Sequence, residues 1–306
     1  MSNKVTIVGS LNVDTTLRVH ALPQPGETVV AQAQTSATGG KGANQAVAAA
    51  RAGALTTMVG QIGSDPNGKV MMRALANDCI NSDHVAVDAT VPTGSATVLL
   101  DDAGENNIVV YGGANSSLSI TPVMAAKDVI SSADFVVAQF EIPQAPVMAA
   151  FQLAKKAGCQ TILNPAPAKL IDPSLLKNTD VVTPNETEAS HITGVKVTDE
   201  ESMAAVAKWF SDRGVNLTII TLGARGVYLS DNGKGQLLPA HVVTPVDTTG
   251  AGDTFVGALS AVLKPDFSNL ESVIDFAQIA SSLTVQSLGA QPSIPQLAKI
   301  QRAMKH

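Results

Sequence analysis

Aromatic residues are scarce in this 306-residue chain, at 3% with one Trp and two Tyr. A binder of single-stranded nucleic acid needs stacking platforms, and these are missing. Basic clusters are missing as well: 20 Lys and Arg stand against 26 Asp and Glu, for a net charge of −6. That leaves no footprint for a phosphate backbone. Cysteine occurs only at Cys79 and Cys159, read here as buried, reduced thiols of a cytoplasmic protein. No run approaches the ~18 apolar residues of a membrane span, and the opening MSNKVTIVGSLNVD lacks the apolar core of a signal peptide. His20, His84, His191, His241 and His306 show no metal-ligand spacing. The expectation is a cytoplasmic protein that binds neither nucleic acid nor membrane. An acidic chain that handles anions must then create positive potential locally, from helix ends and a few side chains.

Apolar residues make up 45%, ample for one large α/β core. Short apolar runs at Lys4–Gly9, Phe135–Gln139, Thr161–Asn164, Asp180–Thr183 and Asn216–Leu222 read as buried strands. Between them, Gln144–Ala157 and Asp199–Arg213 carry apolar residues at helical spacing. Continuous apolar strands alternating with amphipathic helices predict a three-layer α/β/α core around a mainly parallel sheet. Ligands on such sheets sit beyond the strand C-termini. Two stretches break the rhythm. Asp14–Ser36 and Thr93–Tyr111 read as hairpins of a small β-sheet lid, with turns at Pro23–Gly26 and Asp101–Gly104. The division expected is a core of 1–13, 37–92 and 112–306, with a lid of 14–36 and 93–111. Towards the C-terminus, a hairpin around Asp231–Gly235 precedes helices at Asp253–Leu263 and Asn269–Leu288.

One glycine-rich segment misleads. Gly63-Ser-Asp-Pro-Asn-Gly-Lys-Val70 nearly matches a P-loop, but Val70 replaces the Mg²⁺-binding hydroxyl and Pro66 removes an N–H. A turn leading into a helix explains it better. Asp247-Thr-Thr-Gly-Ala-Gly-Asp253 differs, because apolar residues at helical spacing follow it. Its glycines therefore open a buried helix, whose free N–H groups and dipole form an anion hole. Asp253 falls in the first turn, either as a helix cap or as a base for an attacking alcohol. Gly39-Gly-Lys-Gly-Ala-Asn44 leads into an Ala-rich helix and suits a small polyhydroxylated ligand, or else is a helix entry with a solvated lysine. Asn185 and Glu188, three apart after a strand, suit hydrated Mg²⁺ or a capping box. No GxGxxG follows a strand, which sets nicotinamide chemistry aside.

Taken in order, Gly9-Ser-Leu-Asn-Val-Asp14, GGKGAN at 39–44, PNETE at 184–188, Thr221-Leu-Gly-Ala-Arg-Gly226, DTTGAGDTF at 247–255 and Gly289-Ala-Gln-Pro-Ser293 resemble the ribokinase family of carbohydrate and nucleoside kinases over nearly the whole chain. The resemblance implies ATP-dependent phosphorylation of D-ribose at its 5-hydroxyl; kinases of deoxyribose, other sugars or nucleosides are the nearest alternative. It assigns the sugar to Asn12, Asp14, Gly40, Lys41, Asn44, Glu141 and Asp253, and the proton abstraction to Asp253. The N–H groups of Gly250, Ala251 and Gly252 would hold the transferring phosphoryl. ATP would meet Asn185, Thr221, Gly223, Gly226, Gly252 and Gln278, with Mg²⁺ reached through water by Asn185 and Glu188. Also implied are a monovalent cation, usually K⁺, at Asp247, Thr249, Thr284, Ser287, Gly289 and Ser293, and a homodimer formed through the lid.

Overall fold

A computed structural model describes residues 2–305; His306 lies outside the described residues. Its main sheet has nine strands in the order β13-β12-β11-β10-β9-β8-β1-β4-β5. In chain order these are β1 (Lys4–Val8), β4 (Leu55–Gly63), β5 (Asn81–Asp88), β8 (Phe135–Ala138), β9 (Gln160–Leu163), β10 (Val181–Val182), β11 (Leu217–Thr221), β12 (Val227–Asp231) and β13 (Lys234–Leu238). From β5 to β11 all neighbours run parallel. β12 and β13 close one edge as an antiparallel hairpin. The turn between them is tighter than the sequence suggested, with Asn232 and Gly233 both at positive φ, as a two-residue hairpin loop requires.

Strand side chains alternate between two cores, and this makes three layers. Ile7, Phe135, Val137, Ile162 and Ile219 face one core, under the helices Lys41–Arg51, Ala251–Val262 and Leu270–Thr284. Val8, Val136, Ala138, Leu163 and Ile220 face the other, under Gln144–Ala157 and Glu200–Ser211. Both faces are covered, so the strands read as unbroken apolar runs. The expected helix at Asp253–Leu263 in fact starts earlier, at Ala251, and the last long helix stops at Thr284 rather than Leu288. The strand expected over Asp180–Thr183 shrinks to the two residues of β10. Among the described residues, no helix is long and apolar enough to cross a membrane.

A second, four-stranded sheet has the order β3-β2-β6-β7, where β2 is Asn12–Arg18, β3 Ala33–Gly39, β6 Gly94–Leu100 and β7 Asn106–Tyr111. Its two antiparallel hairpins are joined by parallel pairing of β2 with β6. At its root, Asn12 stands level with both Gly39 and Gly94. The P-loop look-alike is an ordinary helix start: Asp65 caps the helix Pro66–Asn77 by accepting from the Gly68 N–H at 2.8 Å.

Candidate active site

β1 is flanked by β4, which the chain enters next in this sheet, and by β8, to which it returns on the opposite side. The strand order therefore reverses at β1, and a crevice opens beyond its C-terminal end. Glycines let the helix Lys41–Arg51 press into that crevice. A Cβ on Gly42 would lie 2.5 Å from the Ser10 nitrogen, and Gly40 needs φ 88° to bring the chain past Asn12. Glu141 then secures the helix start: its Oε2 accepts from Ser10 Oγ (2.6 Å) and from the Lys41 N–H (2.9 Å). A carboxylate at a helix N-terminus also complements the dipole.

Asn12 and Asp14 reach the crevice from β2. The orientation of Asn12 follows from chemistry. The Leu11 N–H can only donate, so it fixes the Asn115 oxygen (2.9 Å), and Asn115 Nδ2 turns to the Leu11 carbonyl (3.1 Å) and to Asn12 Oδ1 (2.7 Å). Asn12 is left offering its NH₂ group. Gly94 must lack a side chain, since a Cβ there would meet both Asn115 Nδ2 and Asn12 Oδ1. Asp14 Oδ1 accepts from the Ala96 N–H at 3.0 Å. Burial raises its carboxyl to about 6, with the Ala96 bond opposing and Glu141 adding to the rise.

Asp253 does not cap its own helix. Gly250, at φ 78°, occupies that position without a side-chain bond. Instead the buried Asp253 carboxylate faces the helix Lys41–Arg51. It accepts from Asn44 Nδ2 at 2.9 Å and from Gln45 Nε2 at 3.1 Å. Burial pushes its pKa up, against the opposing pull of Lys41, Asn44 and Gln45. The Lys41 ammonium is held more firmly protonated by Asp253 first, then by Glu141 and Glu188 despite its burial. Of the three expected anion-hole amides, Ala251 donates to the Thr248 carbonyl at 3.2 Å. Among the described residues no backbone acceptor meets the Gly250 or Gly252 N–H. Beyond its chain neighbours and its own helix backbone, no described atom lies within 4 Å of where a Gly252 Cβ would stand, so a ligand can approach the backbone there.

On the far side of Gly252 is a cavity of about 530 Å³. Asn185, Thr221, Gly223, Gly226, Gly252 and Gln278 all line it. Asn185 and Glu188 form a complete capping box: Asn185 Oδ1 accepts from the Glu188 N–H (2.8 Å), and Glu188 Oε2 from the Asn185 N–H (2.9 Å). Glu188 keeps one carboxylate oxygen free of that box, and burial raises its pKa. Gly252, which lines the cavity, directly precedes Asp253, whose buried carboxylate faces Asn44 and Gln45. A model of the pfkB family of carbohydrate kinases matches residues 2–297.

The chain belongs to the pfkB family of carbohydrate kinases. It is 45% identical over 301 residues to the ribokinase of Staphylococcus aureus, covering 98% of this chain and 99% of that one. A bifunctional ribokinase/ribose-5-phosphate isomerase A of Fructilactobacillus sanfranciscensis is 48% identical over 293 residues. That match covers 95% of this chain and 54% of the longer protein. The ribokinase of Arabidopsis thaliana, solved with ribose and ATP, matches at TM-score 0.93 and 33% identity over 100% of both chains.

In this pfkB kinase the six residues named for a monovalent cation fall on two segments that meet behind the Gly250 turn. Asp247 Oδ1 accepts from Thr249 N–H and Oγ1, and Oδ2 accepts from the Gly289 N–H at 2.8 Å. Burial works against that charge, but these donors hold its pKa below the usual range. The buried Thr284 Oγ1 bonds Thr254 Oγ1 at 3.1 Å, and Ser293 Oγ donates to the Ala290 carbonyl. Among the described residues no N–H is aimed at the carbonyls of Thr249 or Ser287. Free carbonyls beside a carboxylate are a fitting donor set for a large monovalent ion.

Several contributors escaped the sequence reading: Ser10, Asn115, Gln45, Gln139 and Asn164, and in the cavity His241 to Val243, Ser281 and Ser282. One signal was available, because Gln139 and Asn164 directly follow β8 and β9, where ligands gather on such sheets.

Proposed function

We propose that this kinase transfers the γ-phosphate of ATP to the 5-hydroxyl of D-ribose, giving ribose 5-phosphate and ADP. The observation that carries it is the Asp253 carboxylate, buried and held by two neutral amides directly after Gly252, which lines the cavity. The likeness to a ribokinase solved with ribose and ATP supports the choice of both substrates. Asn12 donates to a sugar hydroxyl, Asp14 and the free oxygen of Glu141 accept from others, and Lys41 and Asn44 close the ring. Gly40 brings the backbone within reach. Asp253 takes the proton of the primary hydroxyl as its oxygen attacks the phosphoryl group. The Gly250–Gly252 turn stabilises the charge that develops there; one such donor is typically worth ~3 kcal/mol of barrier.

The nucleotide lies in the cavity between Thr221–Gly226 and Gln278. Asn185 and Glu188 would hold Mg²⁺ through water, and the ion would supply charge neutralisation for the phosphates. Asp247, Thr249, Thr284, Ser287, Gly289 and Ser293 would hold K⁺, whose charge would steady the turn at Gly250–Gly252. The small sheet, 14–36 with 93–111, serves as a lid over the core. Closing it excludes water that would otherwise compete with ribose. Its edge strand β7 exposes Ile108 and Val110 on one face and Val109 and Tyr111 on the other, apolar surface suited to a second copy of the chain. The enzyme works in the cytoplasm.

A coupled ADP-release assay tests the reading. Turnover is expected with ribose and to rise when potassium replaces a large organic cation. The substrate assignment fails if deoxyribose, fructose or adenosine supports the higher kcat/KM. Asp14 provides a second test. Its folded value of about 6 lies above the ordinary 3.8, so its stabilising share is complete below 3.8 and is lost as pH climbs through 6. Asp14→Asn is therefore expected to stabilise the ligand-free protein at pH 8, by up to about 3 kcal/mol. The same change should raise the KM for ribose about tenfold by removing a charged acceptor. Thermal melts at pH 5 and pH 8, with ribose kinetics, check both halves.

A further inference from the structure

Behind Asp253 runs a chain of buried amides that the transfer step above does not use. Gln45 Nε2 donates both to Asp253 Oδ1 (3.1 Å) and to Asn164 Oδ1 (3.1 Å). Gln139 Nε2 donates to Gln45 Oε1 at 2.5 Å, and Asn164 Nδ2 to the Thr183 carbonyl at 2.8 Å. The direction of the chain is forced. The Thr183 carbonyl can only accept, so Asn164 turns its nitrogen there and its oxygen towards Gln45. Gln45 must then present its NH₂ to Asn164, and the second hydrogen of that group falls on Asp253. Gln45 and Gln139 are both 0% exposed, and Gln139 Oε1 has no hydrogen-bond partner among the described residues. Buried, partly unsatisfied amides are a poor route to stability compared with apolar side chains of like volume.

We propose that Gln45 is a positioning residue for phosphoryl transfer, clamped by Asn164 and Gln139 so that it locks the rotation of the Asp253 carboxylate. Asn44 holds the other oxygen, and the lone pairs that remain face the sugar hydroxyl. As the O–H bond of ribose breaks, its proton passes to Asp253, the new O–P bond forms and the bridging P–O bond of ATP breaks. Gln45 neither gains nor loses a proton. This rests on Asp253 being the base.

The test uses the full chain as parent, Gln45→Met, Asn164→Ser and Asp253→Asn, with kcat and KM for ribose and ATP measured across pH, and thermal melts alongside. Gln45→Met is expected to lower kcat about 10- to 100-fold with both KM values near the parent's. Its acid limb should move to higher pH, because a donor that favours the ionised carboxylate has gone. The charged groups facing Asp253, which are Lys41, Glu141 and Glu188, are the same in parent and variant. Asn164→Ser, which does not touch Asp253, should move the limb the same way by less. If Gln45→Met keeps the parent's kcat and acid limb, the proposal is overturned while Asp253 stands. If Asp253→Asn stays active, the reading beneath it falls instead. Should Gln45→Met fail to melt cooperatively, Asn164→Ser decides: an unmoved acid limb overturns the proposal.

Discussion

Replacing Asp253 by Asn is expected to reduce kcat by ~10²–10⁴-fold, the usual worth of a general base, with ribose and ATP still bound. The side chain is buried and its neighbours are already placed, so an amide of the same shape fits the same hole. One of its two donors, Asn44 or Gln45, then meets an NH₂ group instead of an oxygen. That mismatch is partly offset, because a charge that burial disfavours has gone. Folding stability should therefore change little while proton abstraction disappears. Lys41 should also lose its protonated bias, since Asp253 is the main cause of it. Calorimetric titration with ribose and with an ATP analogue, beside steady-state turnover, separates binding from chemistry. Retention of more than about a tenth of kcat would remove general-base catalysis from the account.

A second large effect is expected at Gly257, which touches no ligand. In an open helix, Gly→Ala gains ~1 kcal/mol. Here a Cβ would lie 2.5 Å from both the Ala48 Cβ and the Gln45 carbonyl oxygen, and 2.8 Å from the Ala49 nitrogen. Backbone cannot yield as a side-chain tip can, so the helices Lys41–Arg51 and Ala251–Val262 must separate. Overpacking of that kind typically costs ~1–3 kcal/mol, which outweighs the helix preference. The displacement also reaches the reaction: Asn44 and Gln45 ride on one helix and Asp253 on the other. Misplacement by 1 Å can cost ~10²-fold in rate. Gly257→Ala is therefore expected to melt earlier and to turn over about a hundredfold more slowly. A variant as stable and active as the parent would show that the two helices slide apart freely.

The same geometry explains what was readable in advance. The strands β1, β8, β9 and β11 were legible because each is buried on both faces and must be apolar throughout. β4 and β5 carry no such signal: β4 mixes Thr, Gly and Gln into its run, and β5 places Asn81, Asp83 and His84 among its apolar residues. β10, only two residues long, is too short for any pattern to mark its ends. At the site, Gly250–Asp253 and Gly39–Asn44 stood out because glycines, a lysine and an acid at a helix start are a local arrangement. Whether Asp253 capped its helix or faced a ligand was open at that level, since both uses need an acid in the first turn. Asn185 and Glu188 posed the same question, and here the capping box is fully formed.

Local order along the chain was enough to determine the layered fold and the glycine-opened helix start at Gly250–Asp253, because each depends on neighbours within a few positions. Only the tertiary structure decided which donors meet Asp253, how Asn115 turns Asn12, and how the 247–249 and 284–293 segments join. Those contacts link residues 42 to 209 positions apart. Hydrogen-bond direction in such a network is set by backbone groups that only give or only take, and sequence spacing carries no trace of them.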